Sequence, residues 1–242
     1  MAPNNRLCDL RTFYALLSDL ERRLGGTRRL ADCRGHMNWP VRGVYFFFEA
    51  GEVRTDSGDL PRVVRIGTHA LTATSRTTLW NRLSQHRGQA SGHGNHRGSI
   101  FRLIVGSALK VRSGSAHPFS WGIGGDPATA AMKLGTEKKV IVSNEAALEA
   151  AVSRYIGAMP FLWLSVDGPG EIDNQRGYIE RNAIALLSNY QGDALDPPSP
   201  DWLGRHSDRE KVRRSGLWNS NHVEETYEPA FLEVLRQFVE VI

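Results

Sequence analysis

The sequence has few cysteines and no long hydrophobic run. Its 242 residues include Cys8 and Cys33 as the two thiols, and they do not form a CxxC pair. Two isolated thiols argue against a disulfide scaffold or a cysteine-built zinc site, so a reducing cytoplasm is the expected location. No segment approaches the roughly 18 consecutive apolar residues that span a bilayer, so we expect no membrane partner.

The sequence also lacks the short motifs of several large enzyme classes. It contains no GxxxxGK[ST] phosphate loop, no HExxH zinc motif and no GxSxG nucleophile motif. The segment that starts the chain lacks the basic start, apolar middle and small-residue cleavage site of a secretory signal. Any chemistry must therefore be sought in less common patterns.

Acidic residues are missing from one long stretch of the chain. No aspartate or glutamate occurs in residues 60–125, which carry many arginines and histidines. The formal net charge of the whole chain is +4, so the positive charge is concentrated in this stretch. Such a stretch fits a solvated basic face, and it also fits a surface that binds a polyanion. Nucleic acid is the first partner to test, because phosphate neutralisation dominates its binding.

Apolar periodicity and turn residues predict a helix followed by a hairpin near the start of the chain. Apolar residues recur at helical spacing over 9–24, with Asp9 as the N-cap and Gly25-Gly26 as the stop. The aromatic and β-branched runs 43–49 and 62–67 flank the turn-forming segment TDSGDLP. This arrangement predicts a β-hairpin.

The rest of the chain alternates between helical and extended patterns. We expect helices over 76–87 and over 99–109, the second capped by Ser99, although its short apolar run also fits a buried strand. Residues 113–137 are rich in glycine, serine and proline and are predicted to be irregular. The remaining predicted elements are a short strand over 138–142, a helix from its cap Asn144 to about Ala158, a strand over 161–166, a turn over 167–177, a helix over 178–190 and a last helix over about 229–239.

Together these elements predict an α/β (α+β) fold, in which a small antiparallel sheet with a β-hairpin is flanked by helices. The chain shows no internal repeat, heptad or low-complexity tract. A single domain over residues 1–242 is the most economical description.

Three side chains are candidates for chemistry when they are considered one at a time. Arg82 and His86 lie four residues apart and leave the same face of a predicted helix, where an arginine can clamp phosphate and a histidine can relay a proton. Glu180 is a lone carboxylate that can be the single protein ligand of a hard divalent cation. Asn182 and Asn189 are polar candidates on the same helix. Taken singly, residues of these types are more often surface groups.

In their order along the chain, these residues resemble the GIY-YIG nuclease family. Gly43-Val44-Tyr45 stands where that family has GIY, and Arg65-Ile66-Gly67 stands where it has YIG. Arg82 falls at the family's helix arginine, and Glu180 falls at its metal-binding glutamate. The segments SIFRLIVGSAL and YIERNAIALLSN, with a histidine four residues after the arginine, are most similar to the restriction-endonuclease branch.

The resemblance covers about residues 40–190, and it implies that this range is a GIY-YIG-like catalytic core. Residues 1–39 are then a helical N-terminal extension. Residues 191–242 are then a basic linker followed by a C-terminal helix.

The resemblance also implies a mechanism for cutting DNA. In it Tyr45 acts on a water as a general base, or as a phenolate relay, assisted by His86. Arg65 and Arg82 stabilise charge on the phosphate, and a Mg²⁺ or Mn²⁺ ion on Glu180 stabilises the leaving 3′ oxygen.

One departure from the family pattern leaves a second interpretation open. Arg65 occupies the place of the family's second tyrosine, where a cation can orient the phosphate or favour ionisation of Tyr45. The alternative is a catalytically degenerate module that binds nucleic acid without cutting it.

Double-stranded DNA is the partner that the resemblance implies. Symmetric cutting of a palindromic site favours a homodimer, and the restriction branch implies a companion methyltransferase. Loop 88–98 is expected to contact DNA, with a flexible linker as its alternative, and the basic strip 205–214 is a second expected contact. The predicted DNA contacts are Arg87, His93, Asn95, His96, Arg97, Arg102, Arg213 and Arg214. Trp121 and Trp218 can stack on an extruded base, although buried anchors are the commoner role of tryptophan.

Overall fold

An antiparallel sheet forms the centre of the structure. The computed structural model describes residues 3–72, 74–89, 91–166 and 175–242 of the chain. The strand order across the sheet is β1-β4-β2-β3, and every neighbouring pair is antiparallel. In chain order the strands are β1 (Arg28–Arg29), β2 (Gly43–Val53), β3 (Pro61–Gly67) and β4 (Pro160–Ser165).

Helices cover both faces of this sheet, which confirms the predicted fold class. None of the helices in the described ranges is long and apolar enough to cross a membrane. Single 3₁₀ turns occur at Leu30–Asp32, His96–Gly98 and Leu203–His206. The helices are α1 (Pro3–Leu24), α2 (Leu79–Arg87), α3 (Ile100–Arg112), α4 (Pro127–Leu134), α5 (Lys138–Ala158), α6 (Gln175–Leu187), α7 (Glu210–Ser215) and α8 (Phe231–Glu240).

The central strand β2 is buried on both sides, which explains its unbroken apolar run. Val44 and Phe46 face a cluster built from α1, α6 and α8. Tyr45 and Phe47 face a second cluster, to which α2, α3 and α5 contribute. Successive side chains of a strand point to opposite faces, so each helix layer buries alternate residues of the same run.

The register of the hairpin places three motif residues on one face. Tyr45 lies opposite Gly67, and Phe47 lies opposite Arg65. The outer edge of β3 is covered by a later segment, because the backbone N–H of Trp218 donates to the carbonyl of Val64 over 2.7 Å. Edge strands left open invite pairing with other chains, and here the chain pairs its own edge.

The ends of α1 and α3 test the predicted caps. Helix α1 begins at Pro3, so the prediction of Asp9 as its cap was wrong; the Asp9 carboxylate instead accepts a hydrogen bond from Tyr227. Its predicted stop is confirmed, because Gly25 and Gly26 take the positive φ angles of 74° and 109° that glycine tolerates. Ser99 caps α3 by accepting from the N–H of Arg102, which rules out the strand alternative.

Three predictions in the middle of the chain were wrong. Residues 113–137 are not irregular throughout, because they contain helix α4. Asp126 is the N-cap of this helix, and a proline is its first residue. Residues 138–142 are not a strand, and Asn144 is not a cap; both lie within α5. The β-branched run stays helical because Ile141 is buried against Ala130 and Ala131 of α4.

The later predictions were closer to the structure. The strand over 161–166 and the helices over 178–190 and about 229–239 correspond to β4, α6 and α8. Most of the turn predicted over 167–177 lies outside the described residues. The division into a core over 40–190 and two extensions stays a prediction.

Candidate active site

A hydrogen-bonded chain of side chains lies between β2, α2 and the start of α3. The hydroxyl of Tyr45 lies 2.8 Å from Nε2 of His86, and both side chains are fully buried. The other ring nitrogen, Nδ1, lies 2.7 Å from the hydroxyl of Ser99. The first turn of α2 is held against the start of β2, because the N–H of Leu79 donates to the carbonyl of Val41. Three side chains distant in sequence thus form one continuous chain of contacts.

Gly67 makes room for the phenol of Tyr45. The two residues are directly opposite in the hairpin, and a Cβ atom at Gly67 would overlap the ring and hydroxyl of Tyr45. A glycine at the end of a strand can allow a sharp turn of the backbone or the close approach of a phosphate. The structure gives a different physical reason, because any side chain here would displace the tyrosine.

Arg65 connects the tyrosine to the charged groups of the site. Its Nη1 donates to the carbonyl of Trp218 over 2.5 Å, while its buried Nε has no partner in the described ranges. Burial lowers the pKa of Arg65, and the neighbouring charges of Tyr45 and Glu180 oppose that shift. Its guanidinium therefore lies within electrostatic reach of both groups.

Glu180 reaches the same end of the hairpin from the opposite face of the sheet. Its Oε1 accepts a hydrogen bond from the backbone N–H of Thr68 over 3.2 Å, directly after Gly67. Burial raises the pKa of Glu180, whereas the charges of Arg65, His222 and Arg82 act to lower it. Its other oxygen makes no hydrogen bond within the part of the chain that is described.

The structure brings Tyr45, Arg65, His86 and Glu180 to the same end of the hairpin. Arg82 lies one turn before His86 on α2, where its Nη1 donates to Oε1 of Gln85 over 3.2 Å, and its charge acts on the pKa values of Arg65, His86 and Glu180. Their catalytic roles stay predictions.

His69 is a further ionisable group at this end, and no motif in the sequence identified it. Its Nε2 lies 3.3 Å from the carbonyl of Val41, and its Nδ1 is buried without a partner among the described residues. Burial lowers its pKa to about 4, and the charges of Arg176, Arg42 and Arg82 add to this effect. The neutral histidine thus adds no charge to a site rich in arginine.

Replacing His69 by glutamine is expected to make stability less sensitive to acid. Below pH 6.5 the unfolded histidine takes up a proton while the folded one stays neutral until about pH 4. The free energy of unfolding therefore falls as the pH decreases through this window, by less than about 1.4 kcal/mol per pH unit for one group. Urea unfolding at pH 7, 6 and 5 measures the slope, which should be shallower for His69→Gln.

The comparison of the two proteins isolates His69 from its neighbours. The raised pKa of Glu180 acts with the opposite sign, since the folded carboxyl takes up its proton at higher pH than the unfolded one. That contribution is common to both proteins and cancels. Equal slopes for wild type and variant would contradict the assignment.

Three predicted DNA contacts bind carboxylates inside the protein, so those predictions were wrong. His96 and Arg102 are buried, and both bind the carboxylate of Glu149, over 2.9 Å and 2.5 Å. Arg97 makes a two-pronged pair with Glu145 at 2.7 Å, and its side chain is 2% exposed. A buried side chain that is bonded to an internal carboxylate cannot reach a phosphate. These three residues therefore hold the loop against α5, and their side chains are not free to contact DNA.

Replacing Glu149 by glutamine is expected to destabilise the fold by about 3–5 kcal/mol, because it leaves the Arg102 charge buried without its counterion. Chemical denaturation at pH 7 measures the loss. Glu137→Gln is the matched control, since its pair with Lys139 is 70% and 79% exposed and should change stability by less than about 1 kcal/mol. Equal midpoints for the two variants would refute a stabilising role for the cluster.

The other predicted DNA contacts divide into two places. His93 and Asn95 are exposed, and Arg87 is partly exposed over the ring of Trp80 at the end of α2. Arg213 and Arg214 are exposed on α7, where Arg214 lies over Tyr190 beyond the end of α6. Glu180 lies near the start of α6, whereas this second group lies near the end of the same helix. Contact of either group with DNA stays a prediction.

Asn189 and the two tryptophans serve the fold. Asn189 binds the backbone of Leu195 through both ends of its amide, and Asn182 is likewise hydrogen bonded inside the protein. The predicted functional role of Asn189 stays a prediction, and the hydrogen bonds of its amide show that it also supports the fold. Trp121 and Trp218 are buried with their indole N–H groups bonded, as anchors rather than stacking platforms.

The metal-binding capacity of the site is small. No group of three or more histidine, cysteine, aspartate or glutamate side chains that could hold a metal occurs in the described ranges. Glu180 offers one carboxylate oxygen without a hydrogen bond, beside arginines that suit a phosphate. A single hard oxygen ligand fits Mg²⁺ or Mn²⁺, which keep waters and take further ligands from substrate phosphate.

Comparison with known proteins gives one match. A family model described as the GIY-YIG domain matches residues 4–242. No curated protein and no solved structure gave a significant match.

Proposed function

The chain belongs to the GIY-YIG family, and we propose that it is a metal-dependent endonuclease that hydrolyses phosphodiester bonds in double-stranded DNA. The observation that carries the proposal is the contact between Tyr45 and His86, bordered by Arg65 and reached by Glu180 from the other face of the sheet. These groups supply a proton acceptor, positive charge and a metal ligand. They are the parts that phosphoryl transfer to water requires.

In the proposed reaction the arginines bind the phosphate and the tyrosine handles the proton. Arg65 and Arg82 offset the negative charge that builds on the phosphate oxygens. The Tyr45 hydroxyl first releases its proton to solvent, and the phenolate then accepts a proton from water as the water oxygen bonds to phosphorus. The bond from phosphorus to the 3′ oxygen then breaks, and that oxygen takes a proton from solvent.

The arriving phosphate also changes the electrostatic balance around His86. Burial lowers the pKa of His86 well below its usual value, and Arg82, Arg65 and Arg102 lower it further. The imidazole is thus neutral before DNA binds. The negative charge of a phosphate bound between Arg65 and Arg82 offsets part of their positive charge. Substrate binding therefore lowers the free-energy cost of a proton on the His86 imidazole.

Glu180 is the proposed metal ligand. When bound there, a Mg²⁺ or Mn²⁺ ion supplies positive charge beside the leaving 3′ oxygen. Burial raises the pKa of the Glu180 carboxyl, and the charges of Arg65 and Arg82 oppose that shift. Its bond to Thr68 fixes the direction of the carboxylate.

Arg65 is proposed to take over the place of the second tyrosine. Its side chain borders the Tyr45 hydroxyl, and its Nε carries a hydrogen without an acceptor in the described part of the chain. The phenol is fully buried in this conformation. The unpaired Nε–H of Arg65 would be available as a donor to a phosphate bound beside the tyrosine.

The finer assignment is a site-specific type II restriction enzyme acting in the cytoplasm as a homodimer on a palindromic site. Such an enzyme works with a companion methyltransferase. His93, Asn95, Arg87, Arg213 and Arg214 are the proposed DNA contacts that remain, because their side chains are wholly or partly exposed.

Plasmid cleavage tests the proposed function. We expect supercoiled plasmid to be nicked or linearised with Mg²⁺ or Mn²⁺ and left intact with EDTA. The Glu180→Gln protein, purified in the same way, controls for contaminating nucleases. Tight binding of varied DNA with no cleavage in any metal would instead support the catalytically degenerate binding module.

A further inference from the structure

We propose that His222 is a further catalytic residue of this site, and that its Nε2 passes a proton from solvent to the leaving 3′ oxygen. This assignment rests on the proposed function, because it concerns the last step of that reaction. Tyr45 acts there on the attacking water, and general acid–base catalysis gains from a second group at the leaving atom. That group has to lie on the side of the phosphate that faces Glu180, where the 3′ oxygen is placed.

The segment that carries His222 is fixed along the outer edge of β3. The N–H of Trp218 donates to the carbonyl of Val64 over 2.7 Å. The side-chain amide of Asn219 then bonds both backbone groups of Ile66, at 3.2 Å and 2.9 Å. The contacts advance along β3 as the segment advances, so the segment leads toward the end of the hairpin that carries the site.

A second set of contacts connects His222 to helix α6 beside Glu180. Nδ1 of His222 lies 2.7 Å from Oε1 of Glu225, and Oε2 of the same carboxylate pairs with Nε of Arg181 over 3.1 Å. Arg181 directly follows Glu180 in the sequence. Burial raises the pKa of Glu180, and the charge of His222 is among those that oppose this shift. The imidazole thus lies within electrostatic reach of the proposed metal ligand.

The backbone at His222 is held in an uncommon conformation. Its φ angle is 63°, in the left-handed region that few residues other than glycine adopt. The chain is anchored on both sides of it, by Asn219 on β3 and by the carbonyl of Val223, which accepts from the buried hydroxyl of Ser188. A strained backbone persists where surrounding contacts determine it, and it is common at functional sites.

Glu225 leaves Nε2 of His222 free for substrate. An ionised carboxylate only accepts hydrogen bonds, so the hydrogen between the two side chains belongs to Nδ1. Nε2 makes no hydrogen bond within the described part of the chain, and the side chain is 33% exposed. It can therefore take up a proton from solvent at Nε2 and still reach a bound substrate. Histidine is the side chain that most readily exchanges protons near neutral pH.

The proposed step balances in protons and electrons. The electron pair of the bond from phosphorus to the 3′ oxygen moves to that oxygen, which takes the hydrogen from Nε2 of His222. The neutral imidazole then regains a proton from solvent. Glu225 offsets the positive charge of the imidazolium before the transfer, as a carboxylate beside a histidine does in other acid–base sites.

Sulphur substitution in the DNA tests the inference. The cleavage position is first mapped by sequencing the ends of cut plasmid, and two duplexes are made, with the 3′ oxygen at that position kept or replaced by sulphur. In Mn²⁺ we expect His222→Asn to cut the oxygen duplex about 10²–10⁴-fold more slowly than wild type. It should cut the sulphur duplex at close to the wild-type rate, because a thiolate leaves without needing a proton. Asparagine is the replacement because it tolerates the left-handed backbone.

Three further variants serve as comparisons. Tyr45→Phe should be slow on both duplexes, because the attacking water must lose its proton whichever atom leaves. Glu225→Gln should show the pattern of His222→Asn with a smaller loss. Glu224→Gln is its matched control, since this carboxylate pairs with Lys211 at the surface and should not affect the cleavage of either duplex.

Two results would overturn the inference while keeping the proposed nuclease. Equal losses on the two duplexes, or no loss on either, would show that His222 gives no proton to the leaving atom. Weaker Mn²⁺ binding by His222→Asn without DNA, measured by titration calorimetry, would make His222 a metal ligand instead. Both duplexes are cut by the same preparation, so partial unfolding cannot produce a difference between them. Wild type that cuts neither duplex nor plasmid would reject the nuclease itself, and the inference with it.

Discussion

Replacing Glu180 by glutamine is expected to slow metal-dependent plasmid cleavage by at least about 10²–10³-fold. Glutamine keeps the shape and can still accept the hydrogen bond from Thr68, but it carries no charge to hold a cation. Single-turnover cleavage rates in Mg²⁺ and Mn²⁺ measure the loss. Titration calorimetry with Mn²⁺ and no DNA should show weaker binding.

Stability and DNA affinity distinguish this effect from unfolding. Burial raises the pKa of Glu180, so the charged carboxylate is held at a cost that the neutral amide avoids. The variant should therefore unfold at the same urea concentration as wild type or at a higher one. Gel-shift affinity for duplex DNA in Ca²⁺ should fall less than the cleavage rate.

A nearby carboxylate supplies the matched control. Glu228 accepts a hydrogen bond from Tyr178 and pairs with Arg181 on α6, but it is exposed and does not approach the hairpin end. Glu228→Gln should cleave at the wild-type rate. Equal losses in the two variants, or full cleavage by Glu180→Gln, would remove Glu180 from the proposed site.

The order of the motif residues predicted this site better than it predicted its surroundings. Tyr45 and Gly67 are opposite each other because a hairpin fixes register, and Arg82 and His86 share a face because a helix fixes spacing. Those are local rules that a sequence carries. Glu180 was placed by the family resemblance alone, since no local rule connects α6 to β3.

Residues whose roles depend on distant partners were misjudged or missed. Arg102 belonged to a stretch without acids, so it was predicted to face DNA, yet Glu149 lies 47 residues away and pairs with it inside the fold. Ser99 was identified only as a cap, although its hydroxyl also contacts His86. His69 has no motif, and its surroundings come from three separate segments. Long-range pairing leaves no periodic trace in a sequence.

The contacts of Arg97 and Arg102 with α5 change the interpretation of residues 60–125, the stretch without acidic residues. Part of its positive charge is neutralised internally by Glu145 and Glu149, which lie outside the stretch. Arg65 and Arg82 add positive charge at the hairpin end, while Arg76, Arg87 and Arg112 of the same stretch stay wholly or partly exposed. The basic stretch thus divides into side chains at the candidate site, side chains on the surface and side chains that stabilise the fold through internal ion pairs.

Replacing Tyr45 by phenylalanine is expected to slow cleavage by about 10²–10⁴-fold, the range for loss of a proton-transfer group. The ring and its packing beside Gly67 are kept, and only the hydroxyl is removed. The Nε2 group of His86 loses its partner, so stability should also fall by about 1–3 kcal/mol. Cleavage rates and urea unfolding measure the two effects.

Tyr14→Phe separates these two consequences. Tyr14 is also buried, and its hydroxyl accepts a hydrogen bond from the N–H of Val63 in the same hairpin, but on the other face of the sheet. Its loss should lower stability by a similar amount and leave the cleavage rate near wild type. Comparable cleavage by the two variants would show that the Tyr45 hydroxyl has no chemical role. The arginines and Glu180 would then have to act on a water that some other group deprotonates.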